Sequence, residues 1–205
     1  MNILTRALLG SSVVALALVG TSGTALAAYH NNYDAHGGQG TLNAQFDYGF
    51  WTGDGDINAY GAGLGLRGGY TLDMGLYLGG DFDYFFGESN DVGIAGLGGA
   101  SVGWNVWNIM AEVGYDFWVH KNGVLRPKLG LGVGSLHSHG CGNALTVGFC
   151  DGDSHSGFAI APGVQYLHFF DNIYLSAELR YQTVSVSDDP DPSAFVFGIG
   201  VGVAL

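Results

Sequence analysis

Positive charge is scarce in this chain. Six of its 205 residues are Lys or Arg, against eighteen Asp and Glu, for a formal net charge of −12. Beyond Arg6 the cations are Arg67, Lys121, Arg126, Lys128 and Arg180. They are too few and too scattered to form a basic patch, which argues against nucleic acid or a broad anionic lipid surface as partner. Charge of either sign is low as well, at 12% of residues, about half of what a soluble domain carries. Long apolar runs are missing after residue 27, although 47% of the chain is hydrophobic. That excludes helices as the means of crossing a bilayer, since each needs about 20 apolar residues. Cysteine is limited to Cys141 and Cys150, which suit an oxidising, exported setting and are expected to pair.

The N-terminus supplies the export signal. Arg6 precedes an apolar stretch, Ala7–Val19, and Ala25-Leu26-Ala27 is a small-x-small cleavage site. Residues 1–27 are therefore read as a signal peptide, with the mature chain starting at Ala28. The apolar stretch is interrupted by Gly10, Ser11 and Ser12 and is short for an anchoring helix. No cysteine follows the cleavage site, so no lipoprotein attachment is expected. Residues 28–40 are polar and end in glycine, as a periplasmic lead-in would.

From there to the end the chain alternates. In the stretch Trp104–Leu136, Ile109, Ala111, Val113, Tyr115 and Phe117 share one face, while Met110, Glu112, Gly114, Asp116 and Trp118 share the other. After His120-Lys121-Asn122-Gly123, Leu125, Pro127, Leu129, Leu131 and Val133 alternate with Arg126, Lys128, Gly130, Gly132 and Gly134. A period of two over this length is a strand signal, and Asn-Gly is a tight-turn pair. Every charge falls on the second face. A soluble sheet turns its charges to water, whereas a barrel in lipid turns its apolar face out and its charges into the lumen.

Taken in order, the pattern predicts strands at Leu42–Trp51, Ala59–Leu72, Gly75–Phe86, Val102–Val119, Val124–His137, Gly157–Phe169, Ile173–Val186 and Phe195–Leu205. The glycine-rich residues 87–101 are assigned to a loop, because a further strand would make nine and bacterial single-chain barrels have an even number. Residues 138–156, with both cysteines, form the longest loop. Short connections (Asp73-Met74, His120–Gly123, Phe170–Asn172) alternate with longer ones, as periplasmic turns alternate with outer loops. Aromatics near strand ends, among them Trp51, Tyr70, Tyr84, Phe86, Trp104, Trp107, Phe117, Trp118, Phe169 and Phe170, suggest interfacial girdles. The expected fold is all-β: an eight-stranded antiparallel transmembrane barrel over residues 41–205, with both ends periplasmic.

The run Gly114-Tyr115-Asp116-Phe117, then a turn, then Leu125-Arg126-Pro127-Lys128-Leu129-Gly130-Leu131-Gly132-Val133-Gly134 resembles the small outer-membrane β-barrel domain family. That family holds the opacity-type surface proteins and relatives of the OmpA and OmpX barrels. The resemblance covers nearly all of the mature chain. It implies a bacterial outer-membrane location, with outer-membrane lipid, lipopolysaccharide and the barrel-assembly machinery as partners. It also makes adhesion through the loops an expectation.

Ten charged residues fall on the predicted inner face: Asp47, Arg67, Asp81, Asp83, Glu112, Asp116, Arg126, Lys128, Glu178 and Arg180. Lys121 alone among the later cations falls in a turn. A lumen ion network that fixes barrel register is the reading, since an eight-stranded interior is just wide enough for side chains to fill; a proton or ion relay is the alternative. Inward glycines (Gly61, Gly63, Gly65; Gly130, Gly132, Gly134; Gly198, Gly200, Gly202) either make room for long side chains or leave a thin water path. The loop with His137, His139, Cys141, Cys150, Asp151, Asp153 and His155 is read as disulfide-clipped rather than metal-binding, because its spacing matches no zinc pattern. Asp54-Gly55-Asp56 and Asp151-Gly152-Asp153 are fragments of calcium loops without the closing Glu. Ser135 and His137 share the outward face near the rim, as a lipid-acting hydrolase requires, but no acid is placed to orient the imidazole. The expected function is a non-enzymatic structural or surface-interaction barrel, monomeric, without cofactor, metal or nucleic acid. A narrow passive channel is the alternative, and a lipid A-modifying enzyme a third.

Overall fold

The computed structural model describes residues 38–52, 58–94, 98–144, 147–185 and 192–205. The expected signal peptide, residues 28–37 of the expected lead-in, Asp54-Gly55-Asp56 and most of the expected acidic loop 187–192 lie outside the described residues. Among those described, ten strands run in chain order: β1 Gln39–Trp51, β2 Gly61–Thr71, β3 Leu76–Phe85, β4 Ser89–Ile94, β5 Gly98–Tyr115, β6 Phe117–His120, β7 Gly123–Ala144, β8 Val147–Phe170, β9 Ile173–Ser185 and β10 Ser193–Ala204. All neighbouring pairs are antiparallel, and β1 pairs β10 from Thr41↔Ala204 to Trp51↔Ala194, while β5 pairs β7. Those two contacts close the sheet into a cylinder. Around it stand β1, β2, β3, β5, β7, β8, β9 and β10, the expected eight.

The two remaining strands are continuations. β4 pairs with β5 on the edge that β3 uses further along, β3 from Phe85↔Val106 and β4 from Ser89↔Gly103. It therefore prolongs the line of β3 past a break at Phe86–Glu88 and adds no position round the barrel. Expecting a loop across 87–101 is thus corrected: evenness constrains positions round the cylinder, not segments along the chain. Likewise β6 prolongs β5 beyond Asp116, whose backbone N–H donates to the Gly75 carbonyl at 2.8 Å in line with the β3–β5 ladder, and Phe117↔Leu125 keeps the register that Gly114↔Lys128 sets against β7.

The loop expected over 138–156 is corrected as well. β7 and β8 pair without interruption from Gly123↔His168 to Ala144↔Val147. Gly, Ser and His fill this stretch, so hydrophobicity does not alternate and the periodic signal vanishes. Backbone pairing needs no such signal, and beyond a bilayer both faces of a ribbon are free to be polar. β4, residues 98–103 of β5, residues 138–144 of β7 and residues 147–153 of β8 thus form a sheet standing clear of the barrel, roughly 23 Å tall at about 3.3 Å per residue.

Tight turns close the opposite end. At Leu72–Gly75 the Gly75 N–H donates to the Leu72 carbonyl at 2.8 Å, and Gly75 adopts φ 87°, open to glycine at no steric cost. Asp171 holds the third turn at φ 58°, a conformation that Asp tolerates better than most residues.

Burial alternates along the strands, and the outward set is apolar: Phe46 is 45% exposed, Ile199 53% and Phe158 56%. An exposed apolar band of this extent round a whole cylinder is what acyl chains cover.

Candidate functional site: the filled lumen and the projecting sheet

Strand parity places the site. All ten charged residues expected inside are buried, none more than 9% exposed. The geometry brings them together in two groups. In the middle, Arg67 on β2 reaches Glu178 on β9 and lies 3.6 Å from Asp81 and 3.6 Å from Asp83, its neighbours on β3. Arg180 on β9 comes across from the other wall, with Nη2 2.6 Å from Asp83 and Nη1 3.2 Å from Asp81. Lys128 on β7 completes the group, its ammonium 2.5 Å from Glu112 and 3.0 Å from Glu178. Asp47 joins through Gln45, whose amide donates to Asp47 at 2.6 Å while its carbonyl accepts from Arg67 at 3.0 Å.

Arg126 and Asp116 stand apart from this group, nearer the turns. Arg126 donates to both Asp116 oxygens, at 2.5 and 2.8 Å, and its guanidinium sits over the Tyr77 ring, 3.7 Å from the centroid. Asp116 also accepts from Thr71 at 2.9 Å. The fork of a guanidinium matches two carboxylate oxygens and an aromatic face at once. Gln45, Thr71 and Tyr77 belong to the network although charge alone did not mark them. Their parity with Asp47, Arg67 and Asp81 was the signal.

Bare inner strands turn out to be cradles. A Cβ on Gly202 would collide with the Tyr174 ring, one on Gly69 or Gly79 with Tyr77, and one on Gly134 with Asn108 and Val184. Gly198 and Gly65 lie under Gln45, Asp47 and Asp83 in the same way. Glycine on one wall thus admits a long side chain from another.

Apolar clusters lie on either side of the charged middle. Towards the turns, Val124, Leu167, Phe169, Tyr174 and Ala204 pack with Trp118. Towards the projecting sheet, Tyr60, Phe85, Val106, Leu136 and Val196 pack with Trp104. Trp104, Trp118 and Phe169 therefore point inward, correcting their expected place in the girdles. Nearness to a strand end selects depth, whereas parity selects the face, and these three share parity with Val106, Asp116 and Leu167.

On the projecting sheet, Cys141 and Cys150 face each other across β7 and β8 and form a disulfide. The histidines beside it do not converge with them on one point. His137 and His139 stack with ring centroids 6.3 Å apart, and His137 Nδ1 lies 2.6 Å from the Ser154 hydroxyl across the ladder. Ser135 instead meets Ser156, at 3.1 Å, and the His155 carbonyl, at 3.3 Å. The supposed Ser135–His137 pair is thus split between two cross-strand partners. Asp151 and Asp153 are exposed, and the Asp151 carboxylate accepts from the Gly152 backbone N–H at 2.9 Å.

Among curated proteins nothing matches this chain. Solved structures do. The attachment invasion locus protein Ail of Yersinia pestis superposes with a TM-score of 0.57 at 14% identity, covering 82% of this chain and 99% of that one. Ail in complex with the heparin analogue sucrose octasulfate gives 0.54 at 15% identity, again over 82% and 99%. A major outer membrane protein from Thermus thermophilus gives 0.55 at 13% identity, over 83% and 100%. At such identities the likeness is one of fold. The family model described as outer membrane protein beta-barrel domain matches residues 12–204. With that match over a closed eight-stranded cylinder, apolar outside and charged within, the chain belongs to the outer-membrane β-barrel family and resides in the bacterial outer membrane.

Proposed function

We propose that this protein is a non-enzymatic barrel whose filled lumen serves as a rigid pedestal and whose projecting sheet makes contact outside the cell. Residues 1–27 act as the cleaved export signal and 28–38 as a periplasmic lead-in, shorter than the expected 28–40 because Gln39 and Gly40 already pair with β2. The turn end then faces the periplasm and the β4–β5–β7–β8 sheet faces outward. The observation that carries this reading is the combination of that tall, disulfide-clipped sheet with a lumen filled by side chains. A conducting pore has no use for an interior crossed by Arg67, Arg180 and Tyr174, and a lipid-modifying enzyme would need an acid to orient His137, whose Nδ1 is already taken up by the Ser154 hydroxyl. The ten buried charges act as a register-fixing network.

The sign of the contact surface bears on the partner. Ail carries a sulfated ligand in one structure, but here Asp151 and Asp153 are exposed on the sheet and the chain's net charge is −12. A polyanion would be repelled, so the partner is neutral or basic. The monomer inserts with the barrel-assembly machinery and is surrounded by outer-membrane lipid and lipopolysaccharide. The test uses the full barrel in nanodiscs against immobilised sulfated glycans and basic extracellular peptides, beside planar-bilayer recordings. Basic ligands should bind with an affinity that falls as salt rises, and no conductance steps should occur. Sulfated glycans binding better than basic peptides, or discrete single-channel steps, would overturn the reading.

A further inference from the structure

We propose that the turn end carries a binding site for the phosphate of an anionic glycerophospholipid, formed by His120, Lys121, Tyr166 and His168. Four of the five cations beyond residue 27 are buried in the lumen. Lys121 is the exposed one among the described residues, and it sits in the β6–β7 turn beside exposed His120. A register shift between Trp118 and His120 skips Val119 and pairs His120 with Gly123 across the turn. Gly123 ends the turn and pairs with His168 on β8, so a second imidazole flanks the same turn. The Tyr166 hydroxyl lies 3.2 Å from His168 Nδ1. A Cβ placed on Gly123 would stand 2.7 Å from that hydroxyl and 3.3 Å from the His120 Cβ. Both groups therefore overhang one glycine.

These donors stand directly above apolar surface. Away from the turn, Val164 is 36% exposed and Leu125, the cross-strand partner of Tyr166, is 38% exposed, while Leu175, the cross-strand partner of His168, is 53% exposed on the outer face. Polar hydrogen-bond donors at a strand end with an apolar wall beneath match a lipid's phosphate with its chains below. With the Tyr166 hydroxyl donating to Nδ1, the neutral His168 ring carries its proton on Nε2, which is a further donor. Hydrogen bonds from an ammonium or imidazole to a phosphate ester are charge-assisted. Of the acids nearby, one is paired inside the barrel and one sits in the next turn. Asp116 points inward and is held by Arg126, and Asp171 occupies the neighbouring turn, joined to this one where the Phe169 N–H donates to the Asn122 carbonyl. One local headgroup site is compatible with a chain that has no basic patch, and it is independent of whatever the projecting sheet binds.

The test is lipid retention, measured by native mass spectrometry on the full barrel released from nanodiscs of phosphatidylcholine doped with phosphatidylglycerol. The parent should retain phosphatidylglycerol selectively. The triple variant His120→Ala/Lys121→Ala/His168→Phe should retain roughly tenfold less, as expected for lost charge-assisted bonds. Lys121→Gln alone changes only an exposed turn residue and should lower retention on the same scale if the triple variant fails to fold. His137→Ala at the far end should behave as the parent does. Equal retention by parent and Lys121 variants, or no preference of the parent for phosphatidylglycerol over phosphatidylcholine, would overturn the proposal.

Discussion

At the scale of the residue, the lumen sets a demanding balance. Arg67 faces Asp81, Asp83, Glu112 and Glu178 at once, so its removal strands several buried carboxylates beside two remaining cations. Arg67→Leu should destabilise the barrel by about 3–5 kcal/mol, the usual consequence of leaving buried charge without its partner. Urea unfolding in lipid vesicles measures this, and an unchanged midpoint would mean that the network contributes nothing to holding the barrel. The glycine cradles make a complementary prediction. Gly202→Val drives a side chain into the Tyr174 ring and should cost about 1–3 kcal/mol through overpacking. Adding Tyr174→Ala should recover part of that loss. If the second change only deepened the damage, Tyr174 would not be what Gly202 makes room for. These positions were half legible. Parity put Gly202 and Arg67 inside, but nothing in a one-dimensional string says which far wall an inward side chain will meet.

At the scale of the element, the β7–β8 hairpin is the part that escaped sequence reading. Its lower half alternates because lipid touches one face and the lumen the other. Its upper half is pinned instead by an uninterrupted ladder and by Cys141–Cys150, nine residues apart in sequence. Closing so short a loop contributes about 2–3 kcal/mol at most, and only to the hairpin's own unfolding. The double variant Cys141→Ser/Cys150→Ser should therefore leave the barrel's thermal mobility shift unchanged while amide exchange over residues 138–153 accelerates. A drop in the melting temperature of the whole barrel would show that the projecting sheet and the cylinder unfold together. The irregularity between Trp118 and His120 follows the same logic: the residue pattern gives no sign of it, and only the change from Trp118↔Val124 to His120↔Gly123 shows the extra residue.

At the scale of the whole molecule, what matters is which side of each ribbon meets lipid. Leu131 lies outward on β7 between Ala111 and Ile160 and is 40% exposed. Leu131→Arg should cost about 2–4 kcal/mol if that position lies near the bilayer midplane, read as a lowered unfolding midpoint in vesicles. An arginine tolerated there without loss would place Leu131 outside the acyl region and shift the assumed depth of the barrel.

The eightfold closure, the outward greasy face and the burial of ten charges were all settled by a period of two in the residues, because a strand has only two sides and lipid accepts only one kind of side chain. The pairing of Arg67 with Glu178, the cradles beneath Tyr77 and Tyr174 and the sheet rising beyond the rim were decided only in three dimensions. Each depends on which strand lies across or beside another, and distance round a closed cylinder leaves no trace in the order of residues along the chain.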